Sequence, residues 1–400
     1  MYFVGIDWAD KFHQVCILDA KRKMVLEFAI THSYSGFSTL MRELEKLTKD
    51  RSQIGLICET KHNLLISFLL KEGYTVYCVN PKAINRFRDT KRASTAKSDS
   101  FDAFCLADFL ASNKEMLKPL PHDDEKVKKA DSLYRFRSRL VRQKVSIQNS
   151  LKSHLKSYYP RSLELFGLDT KIFASFLKKY PTPESLGRET KEGFVNFLKE
   201  MRYTQSVRIN KLAEIIKQEQ IKVDKTVAES ASTFTLMILA QLELVTFQIA
   251  NIEQQIEEFI SSFEPARLIT SIPGAGAVVA AGIIAGLGEP GRYSSASAVQ
   301  CLAGTAPVTR QSGNYKYVRM RKSCNKHLRN ASQHLAFSSI SYCKWAKEFY
   351  NMQRKKGKSH HGALRTLANK WFRIIFAMLK NNTPYNESCY LANKQRFCTA

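Results

Sequence analysis

Residues 2–31 read YFVGIDWADKFHQVCILDAKRKMVLEFAIT. Tyr2-Phe3-Val4-Gly5-Ile6, Gln14-Val15-Cys16-Ile17-Leu18 and Val25-Leu26-Glu27-Phe28-Ala29-Ile30 are three short apolar runs, and Asp19-Ala20-Lys21-Arg22 is the polar turn between the last two. An antiparallel meander is expected. Working outward, a helix-like stretch runs around Thr39 to Leu47. A strand pattern follows at Ile54 to Cys58, a helix around Leu64 to Lys71, a strand at Thr75 to Val79, and then further helices. The order βββαβαβα predicts a mixed sheet flanked by helices, the order of RNase H-like folds.

The acidic residues of this region sit at the ends of those elements. Asp7 follows the first strand, Glu59 ends the fourth, and Asp99 and Asp102, three residues apart, share one face of a helix start. If the first and fourth strands are neighbours, the four carboxylates meet at one edge of the sheet. Such a cluster is costly unless a cation neutralises it, and hard oxygen ligands suit Mg²⁺ or Mn²⁺. Two such ions would activate a nucleophile and stabilise the leaving oxygen at a phosphodiester. Taken singly, each residue also reads as an ordinary turn or first-turn acid.

From Asp123 to Tyr158 a long helix is expected, with Leu133, Leu140, Ile147, Leu151, Leu155 and Tyr158 on one apolar face. Its other faces carry Arg135, Arg139, Arg142 and seven further cations between positions 126 and 158, against Asp131 alone. A solvated face normally carries compensating acids at helical spacing, so contact with a nucleic-acid backbone is expected here. Residues 160–225 read as a small helical insertion. Beyond it Ile238, Leu242, Val245, Ile249, Ile252, Ile256 and Phe259 step by 4 and 3, a heptad seam. It pairs either with the first long helix or with a second subunit.

In the C-terminal region Ile272-Pro273-Gly274-Ala275-Gly276 resembles the turn of a helix-hairpin-helix module. There Gly274 and Gly276 would bring backbone N–H groups to a phosphate. A glycine turn before a core helix explains the same residues. Between Glu289 and Glu387 the only acid is Glu348, against 18 Lys and Arg. A domain so one-sided repels itself unless it lies on a polyanion. Within it, Ser312 sits among small residues, with Arg310 before it and Arg319, Arg321, Lys322, Lys326 and Arg329 after it. An exposed hydroxyl beside cations suits covalent phosphoryl chemistry, though most turn serines are only that.

Composition points the same way. Lys and Arg exceed Asp and Glu by 62 to 36, a net charge of +26, which implies a polyanionic partner. Nine scattered cysteines, none spaced C-x-x-C, argue against a zinc ribbon or a disulfide framework and fit a reducing cytoplasm. No signal peptide is expected, and the apolar stretch Ala275 to Leu287 is too short to span a bilayer, so no membrane partner is expected.

Gly5-Ile6-Asp7, Cys58-Glu59-Thr60, Lys97-Ser98-Asp99-Ser100-Phe101-Asp102-Ala103, Ile272-Pro273-Gly274-Ala275-Gly276, and Gly304-Thr305-Ala306-Pro307 with Gln311-Ser312-Gly313 together resemble the DEDD transposases of the IS110 insertion-sequence family, relatives of the pilin-gene invertases. The resemblance covers roughly residues 1–155 and 265–385. It implies a RuvC-like domain over 1–122, a connector over 123–264 with the basic helix, the insertion and a coiled coil, and a mainly α, serine-bearing transposase domain over 265–400. It also implies a metal-binding tetrad of Asp7, Glu59, Asp99 and Asp102 and a nucleophile at Ser312. The implied partners are donor and target DNA and a structured bridge RNA, with dimers assembling into a tetramer in a prokaryotic cell. Ser98 stands where the family usually has Thr. Two rival readings are a RuvC-like junction nuclease using metal-activated water and a non-catalytic nucleic-acid scaffold.

Overall fold

The computed structural model describes residues 1–60, 63–91, 98–121, 124–221, 223–289 and 291–390. Lys97 and Asp123, named above, lie outside them, as does Cys398, one of the nine cysteines. The chain divides into two compact units, Met1–His122 and Asp123–Ala400.

The first unit opens with β1 (Tyr2–Trp8), β2 (Phe12–Leu18) and β3 (Met24–Thr31), the antiparallel meander that the alternating apolar runs dictate. Then come α1 (Tyr34–Leu47), β4 (Ile54–Cys58), α2 (Leu64–Lys71), β5 (Thr75–Cys78), α3 (Pro81–Lys91) and α4 (Asp99–Asn113). The sheet order is β3-β2-β1-β4-β5, with β4 parallel to both β1 and β5, an RNase H-like arrangement. Both faces are covered. Val4, Ile6, Val15, Ile17 and Leu56 pack with Phe37, Leu40 and Leu44 of α1 and with Leu65 and Leu69 of α2. Phe3, Cys16, Leu18 and Ile57 pack with Ile84 of α3 and with Leu106 and Leu110 of α4.

Gly5 fixes how closely α4 approaches. A Cβ there would lie 3.0 Å from Leu106 Cβ and would run into the Ala103 carbonyl and the Ala107 nitrogen, so the helix backbone rests directly on β1. Ser98 caps α4, its Oγ accepting from the Phe101 N–H at 3.2 Å. The buried Asp108 ties the helix down, with Arg22 Nε at 2.7 Å and Lys91 Nζ at 2.6 Å.

The second unit is built on two long helices, α5 (Glu125–Tyr158) and a later partner. Between them lie five short helices: α6 (Ser162–Leu165), α7 (Lys171–Lys179), α8 (Pro183–Gly187), α9 (Lys191–Glu200) and α10 (Ser206–Ile215). The partner, α11 (Lys225–Ser262), runs antiparallel to α5: Leu151 and Leu155 share a core with Ile238 and Leu242, while Val127 and Ala130 share another with Ile256 and Ile260. Arg137 pairs with Glu253 between them at 2.6 Å. The insertion is a small aromatic core of its own, with Phe173, Phe176, Phe194 and Phe197 against Tyr158 and Tyr159. By length and composition α11 is long and apolar enough to cross a membrane, a helix that the short stretch at Ala275–Leu287 did not announce. Its seam is packed on α5.

After α11 come α12 (Glu264–Thr270), α13 (Ala277–Leu287), α14 (Ala296–Leu302), the hairpin β6 (Val308–Ser312) and β7 (Tyr315–Arg319), α15 (Lys326–Tyr342), α16 (Lys344–Lys355) and α17 (His360–Asn381). Ile284, Leu335, Trp345, Trp371 and Phe372 form the core of this part.

Gly5→Ala is expected to destabilise the protein by about 3 kcal/mol or more, because the methyl meets backbone that cannot move without lifting α4. Gly55→Ala is the control. Its Cβ would meet the side-chain tips of Leu110 at 3.3 Å and Tyr77 at 3.6 Å, which can yield. Urea midpoints followed by circular dichroism compare the two, and equal losses would refute the role given to Gly5.

Candidate functional site

Because β1 and β4 are parallel neighbours with Gly5 opposite Ile57, their C-terminal ends open on the same edge, where Asp7 and Glu59 lie. The close seat of α4 on Gly5 brings the first turn of that helix, with Asp99 and Asp102, to this edge. The Asp7 carboxyl registers the result. Burial first, and then the charges of Asp102, Asp99 and Glu59, push it up to about 6, against the opposing pull of Arg88. The tetrad is therefore one electrostatic group.

Arg88, on α3, answers part of this charge, with Nε 2.8 Å from Asp102 Oδ1 and both side chains largely buried. Among the described residues no three acidic, His or Cys side chains stand close enough to ligate one ion as they are. The donor set nevertheless fits a hard divalent cation: four carboxylates on one edge, one of them with its pKa raised by burial and by the other three, and Asp102 paired with Arg88. On the opposite face of the sheet, toward α1, His13 and His32 join ring nitrogens at 2.8 Å, and the half-exposed Trp8 stacks on His13. Burial and the His32 charge lower the His13 pKa.

In the second unit Ser312 is exposed at the tip of the hairpin, paired with Tyr315 across the two-residue turn Gly313-Asn314. Gly313 has φ +53°, the left-handed value such a turn takes from glycine. Antiparallel pairing puts Val308, Arg310 and Ser312 on the same face as Tyr315, Tyr317 and Arg319, and Arg319 lies 4.7 Å over the Tyr317 ring. Arg310 is thus the cation nearest to Ser312 along this face. Arg321, Lys322, Lys326 and Arg329 follow the opposite end of the hairpin, so the sequence proximity of Ser312 to that group is not spatial clustering at the tip. Gly304-Thr305-Ala306-Pro307 anchors the hairpin: Thr305 donates to Asn369 Oδ1 at 2.9 Å, and Gln300 donates to the Asn369 carbonyl at 2.7 Å.

The glycines of the α12–α13 turn differ in role. Gly274, at φ +87°, has no room for a Cβ, which would lie 2.9 Å from the backbone of Ser338, whereas Gly276 opens into free space at the start of α13. On α5, Arg139 and Arg142 are exposed, while Arg135 is held by Asp131 at 2.7 Å. Sequence reasoning missed Arg88, Tyr315 and Tyr317. The alternation in VTRQSGNYKYVR, residues 308–319, was the available signal for the two tyrosines. For Arg88 there was none.

Two family models match, a DEDD transposase of IS110 over residues 4–160 and a transposase of the IS116/IS110/IS902 family over residues 266–351. The chain belongs to the IS110 family of transposases. It is accordingly an enzyme that acts on DNA. The transposase assigned to the mini-circle IS117 of Streptomyces coelicolor is 28% identical over 96% of this chain and 95% of its own length. A 44.8 kDa protein of insertion element IS116 from Streptomyces clavuligerus is 25% identical over 95% and 94%. The backbone of RuvC from Thermus thermophilus aligns over 30% of this chain and 100% of its own with a TM-score of 0.22 and 15% identity. The DEDD family model implies that this IS110 transposase depends on a divalent metal.

The raised Asp7 pKa has a defined consequence for stability. Between the ordinary value of 3.8 and about 6 the folded protein keeps a proton that the unfolded chain releases, so stability falls as pH rises through that window, and the cost persists above it. Asp7→Asn is expected to raise the melting temperature at pH 7.5 without divalent cations by about 2 °C or more, with the gain closing toward pH 4. Added Mg²⁺ should then stabilise the wild type more than the variant. Scanning fluorimetry across pH reads both, and an Asn variant that melts lower at pH 7.5 would mean that the carboxylate is satisfied within the fold.

Proposed function

We propose that this transposase cuts and exchanges DNA strands through a covalent phosphoserine at Ser312, with the Asp7, Glu59, Asp99 and Asp102 tetrad holding Mg²⁺ or Mn²⁺. A structured bridge RNA pairs with donor and target DNA, and dimers assemble into a tetramer. The observation that carries the reading is the presentation of Ser312: an exposed hydroxyl at a hairpin tip, on one face with Arg310 and Tyr315, in a domain almost without acids.

In the step proposed, the Ser312 hydroxyl gives up its proton to water, Oγ bonds to phosphorus, and the bond from phosphorus to the departing sugar oxygen breaks, that oxygen taking a proton from water and leaving as a hydroxyl. A hydroxyl of the partner strand reverses the displacement, releases serine and seals the new junction. Arg310 supplies positive charge where the phosphorane gains negative charge. A bound divalent cation would polarise a phosphate oxygen and neutralise developing charge. Asp7, Glu59, Asp99 and Asp102 would hold it, and Arg88 would orient Asp102 from behind. Arg139 and Arg142 on α5, Gly274 and Gly276 at the α12–α13 turn, and the cations from Arg319 to Arg329 would bind nucleic-acid backbone. For this last role Gly276, with its open surroundings, is the better placed of the two glycines. Membership in a transposase family sets the non-catalytic scaffold aside, and the junction nuclease using activated water remains the rival.

The intermediate separates the two. With guide RNA present and the partner strand withheld, the wild type is expected to give a protease-sensitive, SDS-resistant protein–DNA adduct. The adduct should be absent in Ser312→Ala, which still binds DNA, and should fall at least a hundredfold in Asp102→Asn, a typical order of loss when a group stabilising transition-state charge is removed, roughly 10²–10³. Free DNA ends at the wild-type rate in Ser312→Ala, with no adduct, would assign the chemistry to water.

A further inference from the structure

Among the described residues, the cations at the base of the hairpin form no ion pair. Arg321 follows β7 by two residues, Arg329 lies in the first turn of α15, and Arg365 lies near the start of α17. Arg329 Nη2 donates to the Arg321 carbonyl, and its guanidinium lies over Gly304, where φ is +65° and a Cβ would run into Nη2. Arg365 reaches the same place, with Nη1 directed at Met320 Sδ at 2.8 Å. A thioether is a poor acceptor for a guanidinium. The Nε atoms of Arg321 and Arg329 are buried and have no hydrogen-bond partner. Burial, and then the charge of Arg329, lower the Arg365 pKa.

Desolvated arginines are normally met by carboxylates, because stripping a cation of water without an anion costs several kcal/mol. The nearest acids in sequence are Glu289 and Glu348 on one side or the other, and neither pairs with these three residues. A guanidinium presents five donors in a planar fork suited to phosphate oxygens. The hairpin sets the scale. Four residue steps separate the Val308–Arg319 pair from the Ser312–Tyr315 pair, about 14 Å at ~3.4 Å per residue. At about 3.4 Å of duplex axis per nucleotide, this corresponds to about four nucleotides.

We propose that Arg321, Arg329 and Arg365 form a seat for one backbone phosphate of the DNA strand that Ser312 attacks, about four nucleotides from the bond that is cut. The proposal rests on the serine-bearing hairpin as the DNA-cutting element and adds Arg365 to the cations expected from sequence. The seat registers the strand along β6 and β7. It touches a remote phosphate, so its arginines are positioning residues.

Binding in a Ser312→Ala background tests the seat without any chemistry. DNA affinity is measured as a function of salt, with a structured RNA hairpin of equal length as the second arm. Arg365→Gln is expected to weaken DNA binding roughly tenfold, as loss of a charged hydrogen bond does. It should lower the log-log salt slope by about 0.9, one duplex phosphate contact. Arg365→Lys should restore the slope. Should Arg365→Gln melt below its parent, Arg321→Gln, which leaves α17 intact, reads the same slope. An unchanged slope in a folded variant would overturn the seat, as would a loss confined to the RNA arm. A failure of the serine reading shows instead in the adduct assay, which this measurement does not use.

Discussion

Gly5 has no side chain, and the carboxylate edge depends on that. Parallel pairing of β1 with β4 brings two strand ends together, but two carboxylates do not make a tetrad. The other two arrive on α4, and α4 can lie on β1 only because its Ala103 and Ala107 backbone meets a glycine. Ser98 then ends the helix at the right residue, so that its first turn, where acids are favoured by the free N–H groups, faces the edge. The lever is a packing distance. A larger residue at position 5 would move two charges it never touches.

Having been brought together, the charges oppose the fold that holds them. Asp7 is kept partly protonated near neutrality by burial and its three neighbours, and Arg88 relieves only part of the strain. The second unit shows the same imbalance with the opposite sign: among the described residues, Arg321, Arg329 and Arg365 meet at the base of the hairpin without forming an ion pair. Ordinary surface charges carry compensation, as Asp131 does for Arg135 and Glu253 for Arg137. Where compensation is missing in a buried setting, the partner is expected from outside the chain, a cation in the first case and a phosphate in the second.

How far the sequence disclosed this depends on the range of each interaction. The meander, β4 and β5 were legible because strand periodicity is local, and Asp7, Glu59, Asp99 and Asp102 could be singled out because they end elements that local pattern defines. Arg88 was invisible: it sits in a basic, weakly apolar helix, and only the packing of α3 beside α4 aims it at Asp102. The insertion at 160–225 was legible as helical but its packing was not, because its core is made of scattered aromatics from short helices that meet the ends of α5 and α11. The hairpin at 308–319 was a local signal passed over in favour of charge, and with it went the distinction between the cations at its base and the one beside Ser312.

That distinction changes what the basic domain can do. A nucleophilic serine within a dense arginine cluster would have its hydroxyl held by whichever anion the cluster attracts. At the far end of a two-stranded ribbon about 14 Å long at ~3.4 Å per residue, Ser312 is instead accompanied on its face by Arg310 and two tyrosines, while Arg321, Arg329 and Arg365 belong to its base. On that reading binding and attack would be separated along the hairpin. On the proposed reading, the strand would be gripped where charge is densest and cut where charge is sparse, so that tight binding of the backbone need not block the phosphorus that Ser312 would have to reach.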